Sequence, residues 1–503
     1  MAPPARTCSK GRTHMPTPPG RMRLTDELGT PKTPHAGHDT LRLSRSGDWL
    51  VLGLGPDPAA LASSVPEGAR VRYMECPAFF DQTGRDWREA IPRGWERVES
   101  FDPEADATII LYKGGLRLFP GFWGPVLAAL ALPLPGEPGQ LPGRTALFPA
   151  TKDRLLYREL ATELAGNGFT NLVAPWDGLA SVLRQGRPDL YLSVNFAGLD
   201  EFGQAQSLLR RAGVPVAVWL VDNPFHALSG QKNRFWQDMH LFVTDSWFMR
   251  PLREHGARRV HHLPLAASQD FLKARPDAPH LADKLLFVGR SGFPGRDGFF
   301  AGLKPPRDAW AEAEAMLARG ERPDFEWWVK RTGIDTLWPG KQARLAGLGA
   351  EESGRKWRAM VITQAARAGK LAVCGDEEWR GLSDADFELL PPVDYYGPLA
   401  GMYASARCVV GATSPLLPHG LTQRHFDVWA AGGLLATDNT PGLAIFPEEL
   451  TRPVTYAKPD GLLEVIRSME ADRSALTGAW RELIAREHTY GRRIGTILDA
   501  ISS

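Results

Sequence analysis

Three polar residues follow the apolar run PVAVWLV (215–221): Asp222, Asn223 and His226. Two of their side chains, a carboxylate and an imidazole, can transfer protons. A carboxylate or an imidazole acts as a general base when it lies within hydrogen-bond reach of the proton it takes. We therefore predict Asp222 as the catalytic base and His226 as the second candidate. The same pattern is equally typical of a helix start, with Asp222 as the cap and Pro224 in the first turn.

Two further polar residues end apolar runs in the same half of the chain. Asn195 follows LYLSV and Asp245 follows LFVT. In an open parallel sheet the carboxyl ends of the strands share one edge, so we expect both near Asp222. Each by itself is also typical of a cap or a turn.

The segment FVGRSG (287–292) predicts a strand followed by a phosphate-binding turn. Glycine at 289 lets backbone N–H groups face an anion, and the Arg290 guanidinium can bind two phosphate oxygens. We predict Gly289 and Arg290 as diphosphate-binding residues. Gly375 and Asp376 repeat the pattern more weakly after the next run.

The segment HGLTQRHFDVWAAGGLLATDNTPGL (419–443) predicts a loop, a helix and a strand. The helix start favours an anion near His419 and Gly420, and Arg424 adds positive charge. Asp427, one turn later, could accept hydrogen bonds from two sugar hydroxyls. The spacing of three also fits a plain salt bridge between Arg424 and Asp427.

A different class of site is suggested near the beginning of the folded region. Gly53 and Gly55 follow the run DWLVL, and Glu75 ends the next run, a partial dinucleotide fingerprint whose third glycine is replaced by Pro58. This pattern leaves a nicotinamide-dependent oxidoreductase or a methyltransferase as an alternative. A structural turn explains the same glycines.

Short apolar runs alternate with longer helical ones through most of the chain, which predicts an α/β fold with parallel, doubly wound sheets. The sequence divides into two such series, separated near 265–281 by a proline-containing linker. Residues 306–369 carry apolar positions at helical spacing with Arg and Glu between them, which predicts a helical insert.

These patterns predict four regions. Residues 1–46 are rich in Pro, Gly, Thr, Arg and His and are expected to be a disordered leader. Residues 47–268 are predicted to form an N-terminal Rossmann-like domain. Residues 282–475 would form a second, C-terminal domain of this kind, and 476–503 a closing helical segment.

Composition excludes several classes of protein. The 503 residues contain 59 Lys and Arg against 58 Asp and Glu, a net charge of +1, which argues against nucleic-acid binding. The four cysteines are scattered without a C-x-x-C pair, so neither a zinc site nor a disulfide framework is expected. Without a secretory signal, the expected location is the cytoplasm.

One uncharged stretch, 118–135, approaches the length of a membrane span. Its four prolines leave only about ten residues for an uninterrupted helix, too few to cross a bilayer. We expect no transmembrane segment, and peripheral membrane contact stays open.

The segment LTQRHFDVWAAGGLLATDN (421–439), with GLAIFP (442–447) and EHTYGRR (487–493), resembles the CgeB-like (spore maturation protein) glycosyltransferase family. PVAVWLVDNP (215–224) and LFVTDSWF (241–248) are similar to its N-terminal domain. The resemblance covers most of 185–500.

The resemblance implies a GT-B fold, in which two Rossmann-like domains face a cleft, with the acceptor held by the domain of 47–268 and the nucleotide sugar by that of 282–475. The residues then expected to bind the donor are Gly289, Arg290, His419, Gly420, Arg424 and Asp427. It also implies a hexosyltransferase-like, metal-independent enzyme without a cofactor, which uses a nucleotide-diphosphate sugar and an unidentified glycan, protein or lipid acceptor. Asp427 matches the acidic residue that contacts the donor ribose in related enzymes. The preceding acidic position of the E-x7-E pattern falls on His419, so a non-catalytic nucleotide-sugar-binding protein is a second expectation.

Overall fold

The computed structural model describes residues 22–42, 47–103, 106–132, 141–150, 154 and 156–502. The chain divides into two compact units, 1–123 and 124–503. Their helices are α1 (Pro58–Ala62), α2 (Pro77–Asp81), α3 (Arg85–Glu89), α4 (Gly115–Leu118), α5 (Pro120–Ala131), α6 (Tyr157–Gly166), α7 (Leu179–Gln185), α8 (Gln204–Arg211), α9 (Pro224–Leu228), α10 (Met249–Glu254), α11 (Gln269–Leu272), α12 (Arg296–Phe299), α13 (Arg307–Ala318), α14 (Phe325–Arg331), α15 (Gln342–Ala368), α16 (Trp379–Leu382), α17 (Leu399–Ser405), α18 (Arg424–Ala430), α19 (Glu448–Thr451), α20 (Leu462–Ala471), α21 (Arg473–Glu487) and α22 (Tyr490–Ser502).

The first unit contains its own five-stranded sheet and a two-stranded ribbon. Its strands are β1 (Leu24–Thr25), β2 (Pro31–Lys32), β3 (His38–Arg42), β4 (Trp49–Leu52), β5 (Val71–Met74), β6 (Glu96–Arg97) and β7 (Thr108–Tyr112). The order is β3-β7-β4-β5-β6, with β3 antiparallel to β7 and the other pairs parallel.

Two expectations about the N-terminal region need correction. The strands of 47–112 form a sheet separate from those of 144–262, so 47–268 does not share one sheet. Residues 38–42 of the expected leader pair with β7, because an extended segment can satisfy its backbone groups at a sheet edge even without an apolar pattern. Residues 1–21 and 43–46 of that leader lie outside the described residues.

The second unit begins with a six-stranded, all-parallel sheet. Its strands are β8 (Arg144–Phe148), β9 (Phe169–Val173), β10 (Leu190–Val194), β11 (Val216–Leu220), β12 (His240–Val243) and β13 (Arg259–His262), in the order β13-β12-β11-β10-β8-β9. The order reverses between β8 and β10, so a crevice is expected at the carboxyl ends of these two strands. Every residue of β10 and β11 is buried, as is usual for strands covered on both faces.

The last sheet is also six-stranded and parallel. Its strands are β14 (Leu285–Val288), β15 (Leu371–Cys374), β16 (Glu388–Leu390), β17 (Cys408–Val410), β18 (Leu435–Asp438) and β19 (Thr455–Tyr456), in the order β16-β15-β14-β17-β18-β19. This is the 3-2-1-4-5-6 order of dinucleotide-binding folds, with its switch point between β14 and β17. Two parallel sheets with helices around them confirm the predicted GT-B-like pair of Rossmann-like domains.

The helical insert is present as predicted, because α13, α14 and α15 all lie between β14 and β15. Helix α15 runs for 27 residues, and its glycines permit close packing. A Cβ at Gly347 would collide with the ring of His226, and one at Gly349 would collide with Trp328.

The C-terminal segment returns to the sheet of β8–β13. The buried guanidinium of Arg493 donates to the carbonyl oxygens of Pro264 (2.8 Å) and Leu265 (3.0 Å), and the N–H of Ala267 donates to His488 O (2.9 Å). Helix α22 packs on α6 there. The closing segment, which follows the sheet of β14–β19 in the chain, therefore packs against the sheet of β8–β13.

Within the described residues, no helix combines the length and apolar character needed to cross a membrane. Cys76, Cys374 and Cys408 are buried free thiols.

Candidate functional site

The loop after β10 places an amide beside a carboxylate at the end of β11. Asn195 has a positive φ of 52°, a conformation that asparagine adopts more readily than most residues. Its Nδ2 donates to Asp222 Oδ2 at 2.8 Å, and its Oδ1 accepts from the N–H of Val221 at 3.0 Å. The amide therefore holds the Asp222 carboxylate in place.

Asp222 lies at the wall of a cleft, where its side chain keeps contact with solvent although protein atoms surround it. Burial of the carboxyl raises its pKa, and the hydrogen bond from Asn195 opposes this in part. Oδ1 has no hydrogen-bond partner among the described residues. A carboxylate with one held oxygen and one free oxygen is suited to accept a proton.

The competing prediction that Asp222 caps helix α9 is wrong. The cap is Asn223, whose Oδ1 accepts from the N–H of Phe225 at 3.0 Å, with Pro224 in the first turn. Asn223 Nδ2 donates across to Leu416 O at 3.1 Å. Because Asn223 supplies the cap, the carboxyl of Asp222 is left for the cleft.

His226 also lines the cleft, but its ring is enclosed by aromatic side chains. The ring centroid lies 5.1 Å from that of Phe299 and 5.8 Å from that of Phe300. Burial lowers the pKa of His226 to about 3. An imidazole with so low a pKa is a much weaker base than an ordinary histidine. The enclosure of His226 therefore favours Asp222 as the general base.

The turn after β14 also contributes to the lining of the cleft. The N–H of Gly289 donates to Cys374 O at 3.0 Å, so it is not free to bind an anion as expected. Arg290 is exposed and has no hydrogen-bond or ion-pair partner among the described residues. Its guanidinium is the group of this turn that is available to a ligand.

A second guanidinium, that of Arg358 on α15, also lines the cleft. Arg358 is 9% exposed; its Nη2 donates to Ser291 O at 2.7 Å and lies 3.5 Å from Glu351 Oε1. Its Nε has no hydrogen-bond partner. Burial lowers the pKa of Arg358 and raises that of Glu351.

Sequence analysis missed Arg358 and Glu351 because it assigned the charges of 306–369 to an exposed face. Their spacing of seven residues was the available signal, since it places both side chains on one stripe of a helix, two turns apart.

Three other predicted donor residues do not reach the cleft. The N–H of His419 donates to Asp245 Oδ2 at 2.9 Å, and that of Gly420 donates to Leu417 O at 3.2 Å. The guanidinium of Arg424 donates to the carbonyl oxygens of Val288 and Ala412. These groups already have partners within the protein, so the predicted anion site at the start of α18 is not formed in this structure.

Asp427 is 1% exposed and lies outside the cleft, contrary to expectation. Its Oδ1 accepts from Gln423 Nε2 at 3.0 Å, and burial raises its pKa well above the ordinary value. The alternative salt bridge with Arg424 is not formed either. One turn of helix carries Asp427 to the face of α18 that packs toward Tyr395.

The cleft is one cavity of about 590 Å³. Its full lining is Asn195, Asp222, Asn223, His226, Ala227, Arg290, Gly292, Phe293, Pro294, Phe299, Glu351, Arg358, Ser414, Leu416 and Leu417. The loops after β14 and β17, the strands that flank the switch point, both contribute. One cavity thus contains a candidate base and two guanidinium groups.

A second cavity of about 670 Å³ shares Arg290 and the 292–294 segment with the first. Asp376 lies there, and its Oδ2 accepts from the N–H of Ser291 at 2.8 Å. Within the described residues, no group of three or more His, Cys, Asp or Glu side chains is placed to hold a metal ion.

The alternative dinucleotide site in the first unit is filled by the protein. Glu75 accepts from the N–H groups of Leu54 (2.7 Å) and Cys76 (2.8 Å), and burial raises its pKa to about 7. A Cβ at Gly53 would lie 2.7 Å from Tyr112 Cβ. These glycines therefore serve close packing of Tyr112, and Glu75 has no free oxygen for a ribose.

Comparison with known proteins gives one family match. Residues 355–499 match a family described as "Glycosyl transferase-like". No curated protein matches the chain. The matched part contains Arg358, β15 to β19 and the returning helices.

Several solved structures are distantly similar. Anabaena HepE in complex with UDP-glucose is 9% identical over 72% of this chain and 100% of that chain, with a TM-score of 0.44. T4 phage BGT with its UDP-glucose substrate is 8% identical over 71% and 99%, with a TM-score of 0.43. A UDP-forming trehalose-phosphate synthase from Burkholderia xenovorans is 9% identical over 91% and 99%, with a TM-score of 0.34.

Residues 355–499 are thus similar to a glycosyl transferase-like domain, carried on a GT-B-like pair of parallel sheets.

Proposed function

We propose that this protein transfers a sugar from a nucleotide-diphosphate sugar to a hydroxyl acceptor. The observation that carries the proposal is a single cavity lined by Asp222, Arg290 and Arg358. Transfer needs a base for the hydroxyl proton and positive charge for the leaving diphosphate. The family match over 355–499 supports the same chemistry.

In the proposed reaction, Asp222 Oδ1 accepts the proton of the acceptor hydroxyl as the oxygen attacks the anomeric carbon. The bond from that carbon to the diphosphate breaks, and the negative charge of the leaving group falls between the two guanidinium groups. One displacement with one base inverts the configuration of the sugar. A retained configuration in the product, measured by NMR, would contradict this role of Asp222.

We further propose that the transfer needs no metal ion, since two guanidinium groups can offset much of the diphosphate charge. Activity should survive removal of divalent ions by EDTA. We also propose a CgeB-like enzyme on the motifs at 421–439 and 487–493, and a reducing, cytoplasmic location that suits the buried thiols of Cys76, Cys374 and Cys408.

The first experiment is a thermal-shift panel with UDP, GDP, TDP, ADP, NAD and S-adenosylmethionine. A ligand at about one hundred times its Kd should add about 2.7 kcal/mol of stability. We expect one nucleoside diphosphate to raise the Tm, and Arg290→Ala to reduce this shift. Arg250→Ala is the control, because Arg250 lies on the exposed face of α10, paired only with Glu254.

The same panel tests two further points. Asp427→Asn should keep the shift, because the structure places Asp427 away from the cavity. A shift with NAD or S-adenosylmethionine alone would overturn the proposal in favour of the oxidoreductase or methyltransferase alternative.

A second experiment separates an enzyme from a non-catalytic binding protein. With the nucleotide sugar of the preferred base, the native chain should release nucleoside diphosphate in the presence of an acceptor. Asp222→Asn should lower kcat by about 100-fold or more while nucleotide binding persists. Binding without release in the native chain would favour the binding protein.

A further inference from the structure

The cavity lining is apolar over much of its surface. Its apolar wall consists of the side chains of Ala227, Phe293, Pro294, Phe299, Leu416 and Leu417. The charged side chains of the lining are Asp222, Arg290, Arg358 and Glu351. A ligand in this cavity therefore meets apolar surface as well as a carboxylate and two guanidinium groups.

The aromatic part of this wall is held rigidly. The ring centroids of Phe293 and Phe299 are 5.9 Å apart, and those of Phe299 and Phe300 are 5.0 Å apart, in both cases edge to face. His226 closes the cluster. Such packing fixes an apolar surface before any ligand arrives.

The polar side chains beside Asp222 already have partners. Asn195 uses its amide on Asp222 and Val221, and Asn223 uses its amide on Phe225 and Leu416. Ser414 Oγ accepts from the N–H of Leu416 at 3.3 Å.

Few hydrogen-bonding groups of the described side chains remain free there: Asp222 Oδ1, the hydroxyl proton of Ser414 and the second amide hydrogens of Asn195 and Asn223. His226 Nε2 also has no partner, but it is buried. An acceptor with many hydroxyls would lose hydrogen bonds to water there and replace only some of them, which weakens its binding. An acceptor with one hydroxyl on an apolar ring system loses few hydrogen bonds to water. Burial of its apolar surface also stabilises the complex.

We propose that the acceptor is a small molecule whose reacting hydroxyl is carried by an apolar ring system. The inference rests on the proposed function and specifies its acceptor. The volume of about 590 Å³ is in the range of small-molecule sites. In the transfer step, the oxygen of the hydroxyl on the ring system bonds to the anomeric carbon. The bond from that carbon to the phosphate oxygen breaks, and the hydroxyl proton passes to Asp222.

The test uses 4-methylumbelliferone and 2-naphthol as ring hydroxyls, and glucose and maltose as polyhydroxyl acceptors. Binding of each is measured by calorimetry with the nucleoside diphosphate from the thermal-shift panel present, and transfer is measured with the matching nucleotide sugar. The variants are Phe293→Ala in the wall and Trp176→Ala as the control. Trp176 is also aromatic, but it is 40% exposed and does not line this cavity.

We expect the ring hydroxyls to bind and to accept sugar, the two sugars to do neither, and Phe293→Ala to weaken binding of the ring hydroxyls at least tenfold. Trp176→Ala should leave it unchanged. Binding of glucose or maltose in preference to the ring hydroxyls, or equal loss in both variants, would overturn the inference. So would a nucleotide-bound protein that binds none of the four. Failure to bind any nucleoside diphosphate would instead overturn the proposed function.

Discussion

At the scale of single residues, the pair of Asn195 and Asp222 sets a pH dependence. Burial raises the pKa of Asp222, so kcat/KM should rise with pH through a value above that of an ordinary aspartate, about 3.9. The hydrogen bond from Asn195 favours the charged carboxylate. Asn195→Ala should therefore move the acid limb of the profile to higher pH. A profile of kcat/KM whose acid limb is unmoved, or moved down, would contradict this assignment.

Arg358 and Glu351 make a prediction about stability. Both are buried and 3.5 Å apart, so Arg358→Met leaves a carboxyl without its partner and should lower the free energy of unfolding by about 3–5 kcal/mol. The double variant Glu351→Gln with Arg358→Met also removes the unpaired carboxyl. Its free energy of unfolding should therefore lie above that of the single variant. Urea unfolding of the three proteins measures the difference. A double variant that is no more stable than the single one would show that Glu351 is not coupled to Arg358.

At the scale of elements, Asp245 joins the loop after β12 to the loop after β17. Its carboxyl accepts from the N–H of Trp247 at 2.8 Å and of His419 at 2.9 Å. Burial raises its pKa to about 6 in spite of these bonds. The folded protein therefore holds this proton more tightly than the unfolded chain does between about pH 4 and 6.

This difference in proton binding makes the free energy of unfolding depend on pH. As pH rises through this window, the contribution of Asp245 to the free energy of unfolding falls, by about 3 kcal/mol for a shift of two units. Asp245→Asn should remove this fall. Urea unfolding at pH 4.5 and 7.5 compares the two proteins, and an equal change in both would contradict the prediction.

The returning C-terminal helix gives a second prediction at this scale. Arg493 donates to two backbone carbonyls through the geometry of its guanidinium, which a lysine cannot reproduce. Arg493→Lys should lower the free energy of unfolding by about 1–3 kcal/mol. Arg492→Lys, on the exposed side of the same helix, is the control and should change it little.

At the scale of the whole molecule, the cavity is drawn only from residues after 124. A fragment 115–503, which keeps helix α5 whole, should fold and show the same nucleoside diphosphate shift as the full chain. Circular dichroism checks its folding and thermal shift its binding. A folded fragment that has lost the shift would show that the first unit takes part in binding.

Periodicity and residue order determined much of this architecture. The alternation of apolar runs and helices specified parallel, doubly wound sheets, because strands covered on both faces must be apolar throughout. It also located β10, β11, β12, β14, β15 and β18 and the helical insert. The rule that ligands lie at the carboxyl ends of parallel strands brought Asp222, His226 and Arg290 into consideration, and all three line one cavity.

Tertiary structure alone decided the rest. Short strands such as β16 and β19 carry too few residues for a pattern, and the assignment of β4, β5 and β7 to a separate sheet depends on pairing between distant segments. A helix carries side chains in every direction, so sequence could not say that Asp427 would face Tyr395 while Arg358 would face the cleft. Which polar groups stay free depends on contacts between residues far apart in the chain, and those contacts exist only in the folded molecule.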